Sequence, residues 1–381
     1  MNVNNLVKLR FSRDTLNYFQ NRLLSVFFVA LGLGSLLWLG FSNYNPDWQS
    51  YKLIYETSGA WLSDQGRDPL FLLLIALFTS TFGPSSYEAF RLVISFYFLF
   101  LSTVIAWGRI IPIAHSRWMA IQFPLAIISF GITRYTVQIR EGLATTLILL
   151  GFTCIMRSDA NSNPMKRQIL IWLGFTLVGC AVLIHLGTIF IFAGLLLAIF
   201  TQRAGKIKAS RMKYIWAIVS IIGFLFLGWV AVGGLLALVN SSELGISERI
   251  YFADEASLTL SKLLLWVGYG LVCVLIAKTI KGLVLAGKVR GRLGAVLVVI
   301  SGPLTFVVII SIYILIIIGS PSYFVGQYTR LLNILLGINL IFVASVSNRV
   351  ALIVFCSLFL MTYQVRSILN SISIYFGVNY L

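Results

Sequence analysis

Residues 169–200 read ILIWLGFTLVGCAVLIHLGTIFIFAGLLLAIF, about 32 residues without an acid, a lysine or an arginine. A helix needs roughly 20 apolar residues to cross a hydrocarbon core about 30 Å thick. This run is too long for one upright pass and long enough for two short ones. Its flanks decide between them. Before it, Arg157–Arg167 (RSDANSNPMKR) is a polar turn with three cations, and after it Arg203–Lys213 holds five cations in eleven residues. Short loops rich in lysine and arginine stay on the cytoplasmic side of a membrane. Both flanks are therefore inside, and the run crosses twice, turning at the outer face near His185.

The same logic extends along the chain. Of 381 residues, 59% are hydrophobic and 11% charged, with a mean hydropathy of +0.93. Soluble domains carry about 25% charged residues. Spanning-length apolar runs recur between residues 23 and 367, so the expected fold is all-α, a polytopic transmembrane helical bundle with about 11–12 spans. Residues 1–22 form a cytoplasmic arm carrying Lys8, Arg10, Arg13 and Arg22. Leu23–Phe41 has no small-residue cleavage site after it and reads as a retained span. A single transmembrane domain, 23–367, follows, with outer loops at 42–69, 240–257 and 319–329, and then a tail, 368–381. The turn between Arg109 and Arg117 and the stretch Lys278–Arg292 fall inside; Arg134–Arg140 falls outside. Parity breaks at one place. Leu70–Phe82 and Phe90–Trp107 lie between an outside loop and an inside turn, so only one can cross. Leu70–Phe82 is the short one and is expected to be re-entrant or interfacial. No period of 20–50 residues and no inverted repeat is visible.

The net charge of +17 does not point to nucleic acid. The cations sit in blocks between apolar runs, where anionic headgroups of membrane lipids are their partners. Cys154, Cys180, Cys273 and Cys356 all lie inside apolar runs without disulfide or metal spacing. No metal and no cofactor is expected.

A polar stretch, Asn43–Pro69, interrupts the first apolar part and holds Asp47, Glu56, Asp64 and Asp68, four of only 12 acids. It is either a solvated connector or one wall of a site for a polar substrate. Asp47, Tyr51 and Tyr55 recur every four residues and would share a helix face bearing one carboxylate and two phenols, suited to sugar hydroxyls. Asp68 precedes Pro69, so it should be extended, with Pro69 opening the next helix. There Asp68 is either a routine N-cap or a site residue.

Three basic residues stand at the expected outer starts of descending spans: Arg140, His185 and Arg330. Helix N-termini disfavour cations by about 0.3–1 kcal/mol, so three on one face point to an anion between them. Backbone N–H groups and arginine forks both suit phosphate. Plainer roles stand beside this one. Arg140 could pair with Glu141 or Asp68, His185 could be a neutral turn histidine, and Arg330 could snorkel to headgroups. Arg134 could be solvated in its loop, and Tyr328 could belong to an aromatic belt.

In their order along the chain these segments resemble a known family. PDWQSYKLIYE followed by RDPLF is similar to the first extracytoplasmic loop of Wzy-type polysaccharide polymerases, in particular the EpsG-like branch. VQIREGLATTLILL resembles its arginine-led helix, AVLIHLGTIFIF its histidine motif and QYTRLLNILLGINL its late arginine helix. The similarity covers roughly residues 20–350. It departs from the pattern at Leu186-Gly187-Thr188 after the histidine and at Glu141 after the arginine. The resemblance implies a membrane-embedded, GT-C-like glycosyltransferase using no nucleotide sugar. Such enzymes join oligosaccharide units carried on undecaprenyl diphosphate, at the outer face of the bacterial cytoplasmic membrane. Other partners it implies are the flippase and the chain-length regulator of the same pathway.

On this reading Arg140 and Arg330 hold the diphosphate and His185 supports or protonates it, while Asp47 or Asp68 orients the acceptor hydroxyl. Tyr51, Tyr55, Arg134, Glu141 and Tyr328 contribute binding. Two rival functions differ in what they require. A ligase of this shape carries a large late outer loop, and the one here is short. A flippase needs charges along both halves of its path, and the in-membrane charges here gather on one side.

Overall fold

A computed structural model describes residues 19–34, 48–57, 68–107, 119–136, 139–159, 161–185, 188–189, 191–192, 260–287, 291–317, 322–347 and 349–362. Asp47, the N-terminal arm before Phe19, the acidic loop 240–257, the cationic stretches 109–117 and 203–213 and the tail 368–381 lie outside them. Every regular element among the described residues is helical. Among the described residues, five helices are long and apolar enough to cross a membrane: Ile139–Asp159, Pro164–Ile184, Trp266–Leu285, Val296–Ile317 and Tyr328–Val346. The chain is an all-α, multi-pass membrane protein.

It divides into two compact units, one of Met1–Phe192 with Leu340–Leu381 and one of Ala193–Asn339. The first unit contains α1 (Phe19–Gly34), α2 (Trp48–Glu56), α3 (Pro69–Phe82), α4 (Tyr87–Trp107), α5 (Met119–Thr136), α6 (Ile139–Asp159) and α7 (Pro164–Ile184). Helices α6 and α7 form its central hairpin. The polar segment read as a turn over 157–167 is mostly helix: α6 runs to Asp159 and α7 starts at Pro164. Asn163 makes that start abrupt, since its side-chain oxygen accepts from the N–H groups of Met165 and Lys166 at 3.0 and 3.3 Å, and Pro164 lacks an N–H that would need a partner.

Two glycines set how closely the hairpin packs. A Cβ on Gly151 would lie 2.8 Å from the carbonyl oxygen of Gly174, and a Cβ on Gly174 would lie 2.8 Å from that of Gly151. Hydrocarbon gives helices no solvent-driven reason to associate, so close backbone approach at small residues supplies the contact. α6 is mostly buried. α7 turns Met165, Ile169, Trp172, Leu173 and Leu183 outward, an apolar face suited to lipid chains.

α7 stops at Ile184, and His185 is extended, with φ −148° and ψ 103°. The long apolar run of residues 169–200 is therefore broken at the residue where the two-pass reading put its turn. α3 has 14 residues, about 21 Å at 1.5 Å per residue, short of the roughly 30 Å core. It ends at Gly83 (φ 85°, ψ 162°), a conformation open to glycine alone, and after Ser86 the chain re-enters helix as α4.

The second unit holds α8 (Leu260–Leu285), α9 (Gly291–Val299), a π-helical turn Ile300–Leu304 and α10 (Thr305–Ile317). α9, the π turn and α10 are one span. Pro303 lacks the N–H that an α ladder needs, and the ladder widens there; the hydroxyl of Thr305 donates to the carbonyl of Ile300, five residues back, at 2.6 Å. α8 packs on this π turn. α11 (Ser322–Val346) belongs to the second unit through Asn339, and α12 (Val350–Thr362) returns to the first. α11 starts earlier than its reading as a span opened by Arg330. The stretch Ser322–Thr329 is already helical, and the helix runs on through Gly326 and Gly337, since weak local propensity does not stop a helix whose described length is mostly buried among its neighbours.

Candidate functional site

Site residues from three distant stretches meet in the first unit. Arg140 is the second residue of α6, and its Nη1 donates to Oδ2 of Asp68 at 2.6 Å, across 72 positions of sequence. The Asp68 side chain is 5% exposed and that of Arg140 is 25% exposed. This is one of the plainer roles open to Arg140, with Asp68 rather than Glu141 as the partner. It also resolves the dipole conflict, since a carboxylate now neutralises the cation at the start of α6.

Asp68 is not extended, as its place before proline led us to expect. Its backbone is left-handed, φ 55° and ψ 51°, and it is the only non-glycine with positive φ among the described residues. Aspartate tolerates this region better than most residues. Asp68 holds the N-cap position of α3, yet its side chain makes no capping bond there. The backbone carbonyl accepts from Phe71 and Leu72 instead, at 3.0 and 3.1 Å, which frees the carboxylate to reach Arg140.

Two rings wall the guanidinium. Cζ of Arg140 lies 5.8 Å from the ring centre of Tyr51 and 5.9 Å from that of Phe71. The two rings meet edge to face, 6.3 Å apart at 75°. Tyr51 comes from α2 and Phe71 from the first turn of α3, so Arg140 ties α2, α3 and α6 together. Cation–π contact of this kind contributes about 0.5–2 kcal/mol, more as water is excluded. Nε of Arg140 is fully enclosed and has no hydrogen-bond partner among the described residues.

Tyr55 shares the face of α2 with Tyr51, as its spacing predicts, but not the site. It is fully buried, and its hydroxyl is 2.7 Å from that of Ser86. Its ring packs with Phe78, Tyr87 and Phe90 at 5.1–6.2 Å. A phenol with no exposed surface anchors α2; it does not meet sugar hydroxyls. Glu141 is buried at the first turn of α6, the end where a helix favours an acid. His185 is half-buried and is the residue at which α7 closes, while most of the following stretch to Phe200 lies outside the described residues. Its carbonyl accepts from the N–H and hydroxyl of Thr188, at 3.0 and 2.8 Å. At that helix end a cation is favoured, so the dipole argument does not apply to it.

Arg330 and Tyr328 belong to the second unit. Arg330 is the ninth residue of α11, inside the helix rather than at its start, and it is exposed. Of the three, Arg140 alone stands at a helix start, and there Asp68 already balances its charge. Tyr328 is buried, 4% exposed, which sets it apart from a belt residue at a lipid–water boundary. One turn on, Asn333 accepts from the hydroxyl of buried Tyr269 at 2.8 Å. Arg134 lies in the last turn of α5; its side chain, like Asp47, is outside the described residues.

Arg91 escaped the sequence reading. It is 6% exposed, pairs with Glu88 at 3.4 Å and lies 5.9 Å from the centre of the Tyr87 ring. The signal was present: Arg91 is the only charged residue in the run 90–107, and an ionisable group at membrane depth is a functional candidate by default. No group of three or more metal-binding side chains occurs among the described residues.

A family model described as the EpsG family matches residues 25–380. No curated protein and no solved structure matches the chain significantly.

Proposed function

The chain belongs to the EpsG family, and from that premise we propose that it is a polysaccharide polymerase of the cytoplasmic membrane. It moves a growing glycan from undecaprenyl diphosphate to the free end of a new lipid-linked unit, at the outer face. About 11–12 spans in a GT-C-like arrangement, with α3 as a re-entrant or interfacial element, would carry this chemistry. The flippase and the chain-length regulator of the same pathway are its expected partners.

The observation that carries this reading is Arg140. Its guanidinium is walled by two aromatic rings, balanced by one carboxylate oxygen and left with an enclosed Nε–H that has no acceptor among the described residues. The leaving group in the proposed transfer is a diphosphate, so negative charge grows on phosphate oxygen as the glycosidic bond breaks. A fixed cation in a water-poor site stabilises that charge, and arginine offers two parallel N–H donors to it. His185, in the same unit as Arg140, supports the leaving group. Asp68 is already engaged with Arg140, so orienting the acceptor hydroxyl falls to Asp47.

Arg140→Ala in the chromosomal copy should abolish polymer while single lipid-linked units persist at the outer face. Lipid-linked glycan extracted from the strain reads this directly. Normal chain lengths would sink this role of Arg140, and units retained inside would indicate a flippase.

A further inference from the structure

We propose that Asp68 is a positioning residue. Acting through Arg140, it fixes the guanidinium so that its side-on edge, Nε–H with the adjacent Nη2, faces the diphosphate. The inference rests on the reading of Arg140 as the diphosphate ligand.

Three features carry it. The ion pair uses Nη1 and one carboxylate oxygen, so it occupies the end of the guanidinium away from Nε. A guanidinium has five N–H donors in a rigid plane, and pinning one corner sets the direction of the others. Nε–H is enclosed without an acceptor among the described residues. Buried polar groups in folded proteins are almost always paired, and an exception calls for an explanation such as a missing ligand.

The second feature is the backbone of Asp68. Strained backbone persists where its surroundings demand it and clusters at ligand sites. Here the left-handed turn removes Asp68 from its ordinary capping role and sends its carboxylate to α6. Thirdly, the rings of Tyr51 and Phe71 lie 5.8 and 5.9 Å from Cζ, and the guanidinium also donates to the Tyr51 hydroxyl. Together the three partners limit where the guanidinium can sit. Such prior ordering favours ligand binding because less freedom is lost when the ligand arrives.

The test uses the full chain in nanodiscs of phosphatidylcholine, with farnesyl diphosphate as the probe and the melting temperature recorded for every variant. Asparagine tolerates the left-handed region as aspartate does, so Asp68→Asn removes the charge and leaves the turn. Asp68→Asn strands a half-buried guanidinium and should lower the melting temperature; measured well below that temperature, it should still weaken binding about tenfold or more, and Asp68→Glu should weaken it less. Arg140→Ala should abolish binding. If Arg140→Ala binds as the wild type does, the diphosphate reading of Arg140 fails. If Arg140→Ala loses binding while Asp68→Asn keeps or gains affinity, the positioning role alone is overturned, and a gain would mark Asp68 as a competitor for the cation. Should Asp68→Asn not fold, Asp68→Glu decides: lower affinity at the wild-type melting temperature supports the role, and unchanged affinity overturns it.

Discussion

Tyr51 and Tyr55 lie one turn apart on α2 and differ in every physical respect but chemistry. Tyr51 is half-buried against a guanidinium, and Tyr55 is fully buried among rings. Their substitutions should separate. Tyr51→Phe keeps the ring but loses the hydroxyl that accepts from Arg140 and should cost part of the polymer, whereas Tyr51→Ala also removes a ring contact worth about 0.5–2 kcal/mol and should cost most of it; polymer per cell measures both. Equal losses would mean that the hydroxyl, not the ring, is what matters. Tyr55→Phe should act on stability instead. Losing the 2.7 Å bond to Ser86 should cost about 1 kcal/mol, seen as a lower melting temperature in detergent with turnover per folded molecule unchanged. The i, i+4 spacing of these residues was legible in sequence. Which of them faced the site was not, because that depends on where α3 and α4 lie.

Contacts between elements rest on small groups whose importance their chemistry does not announce. At the α6–α7 crossing an added methyl on Gly151 or Gly174 meets backbone oxygen, which cannot rotate away. Gly151→Ala and Gly174→Ala should each destabilise by about 1–3 kcal/mol. Gly179 lies on the same helix as Gly174 with nothing within 4 Å of its would-be Cβ. Gly179→Ala should therefore be neutral, or stabilising by up to about 1 kcal/mol through helix propensity. Thermal unfolding of the three variants in one detergent tests the contrast, and equal shifts would refute the close crossing. Gln122 makes a second such contact. Its Nε2 donates to the carbonyls of Ala344 and Ser347 at 3.0 and 2.6 Å, closing the C-terminal turn of α11 from α5. Gln122→Leu would leave two buried acceptors without that donor and should cost about 1–3 kcal/mol, again read as a fall in melting temperature.

At the scale of the whole molecule, charge predicts the orientation. Arg157, Lys166 and Arg167 flank the α6–α7 turn, and the positive-inside rule predicts that this turn is cytoplasmic. A cysteine at Ser162 should react with an impermeant maleimide only after the membrane is opened, while one at Thr57, after α2, should react in intact cells. Labelling of Ser162→Cys in intact cells would invert the topology and move Arg140 to the cytoplasmic side. The sequence by itself determined that the chain lives in a membrane, where its long runs break and to which family its motifs belong. Each of these depends on local solvent preference or on short ordered motifs, and both are written along the chain. Only the tertiary structure decided that Arg140 pairs with Asp68 rather than Glu141, that Arg330 lies inside its helix, that His185 closes one and that Arg91 is buried. Those outcomes turn on which side chains from distant segments reach the same few ångströms, and on how far a helix propagates before something stops it. Hydropathy is blind to both, because a charged side chain adds the same value to a window whether its partner lies one residue or 72 residues away.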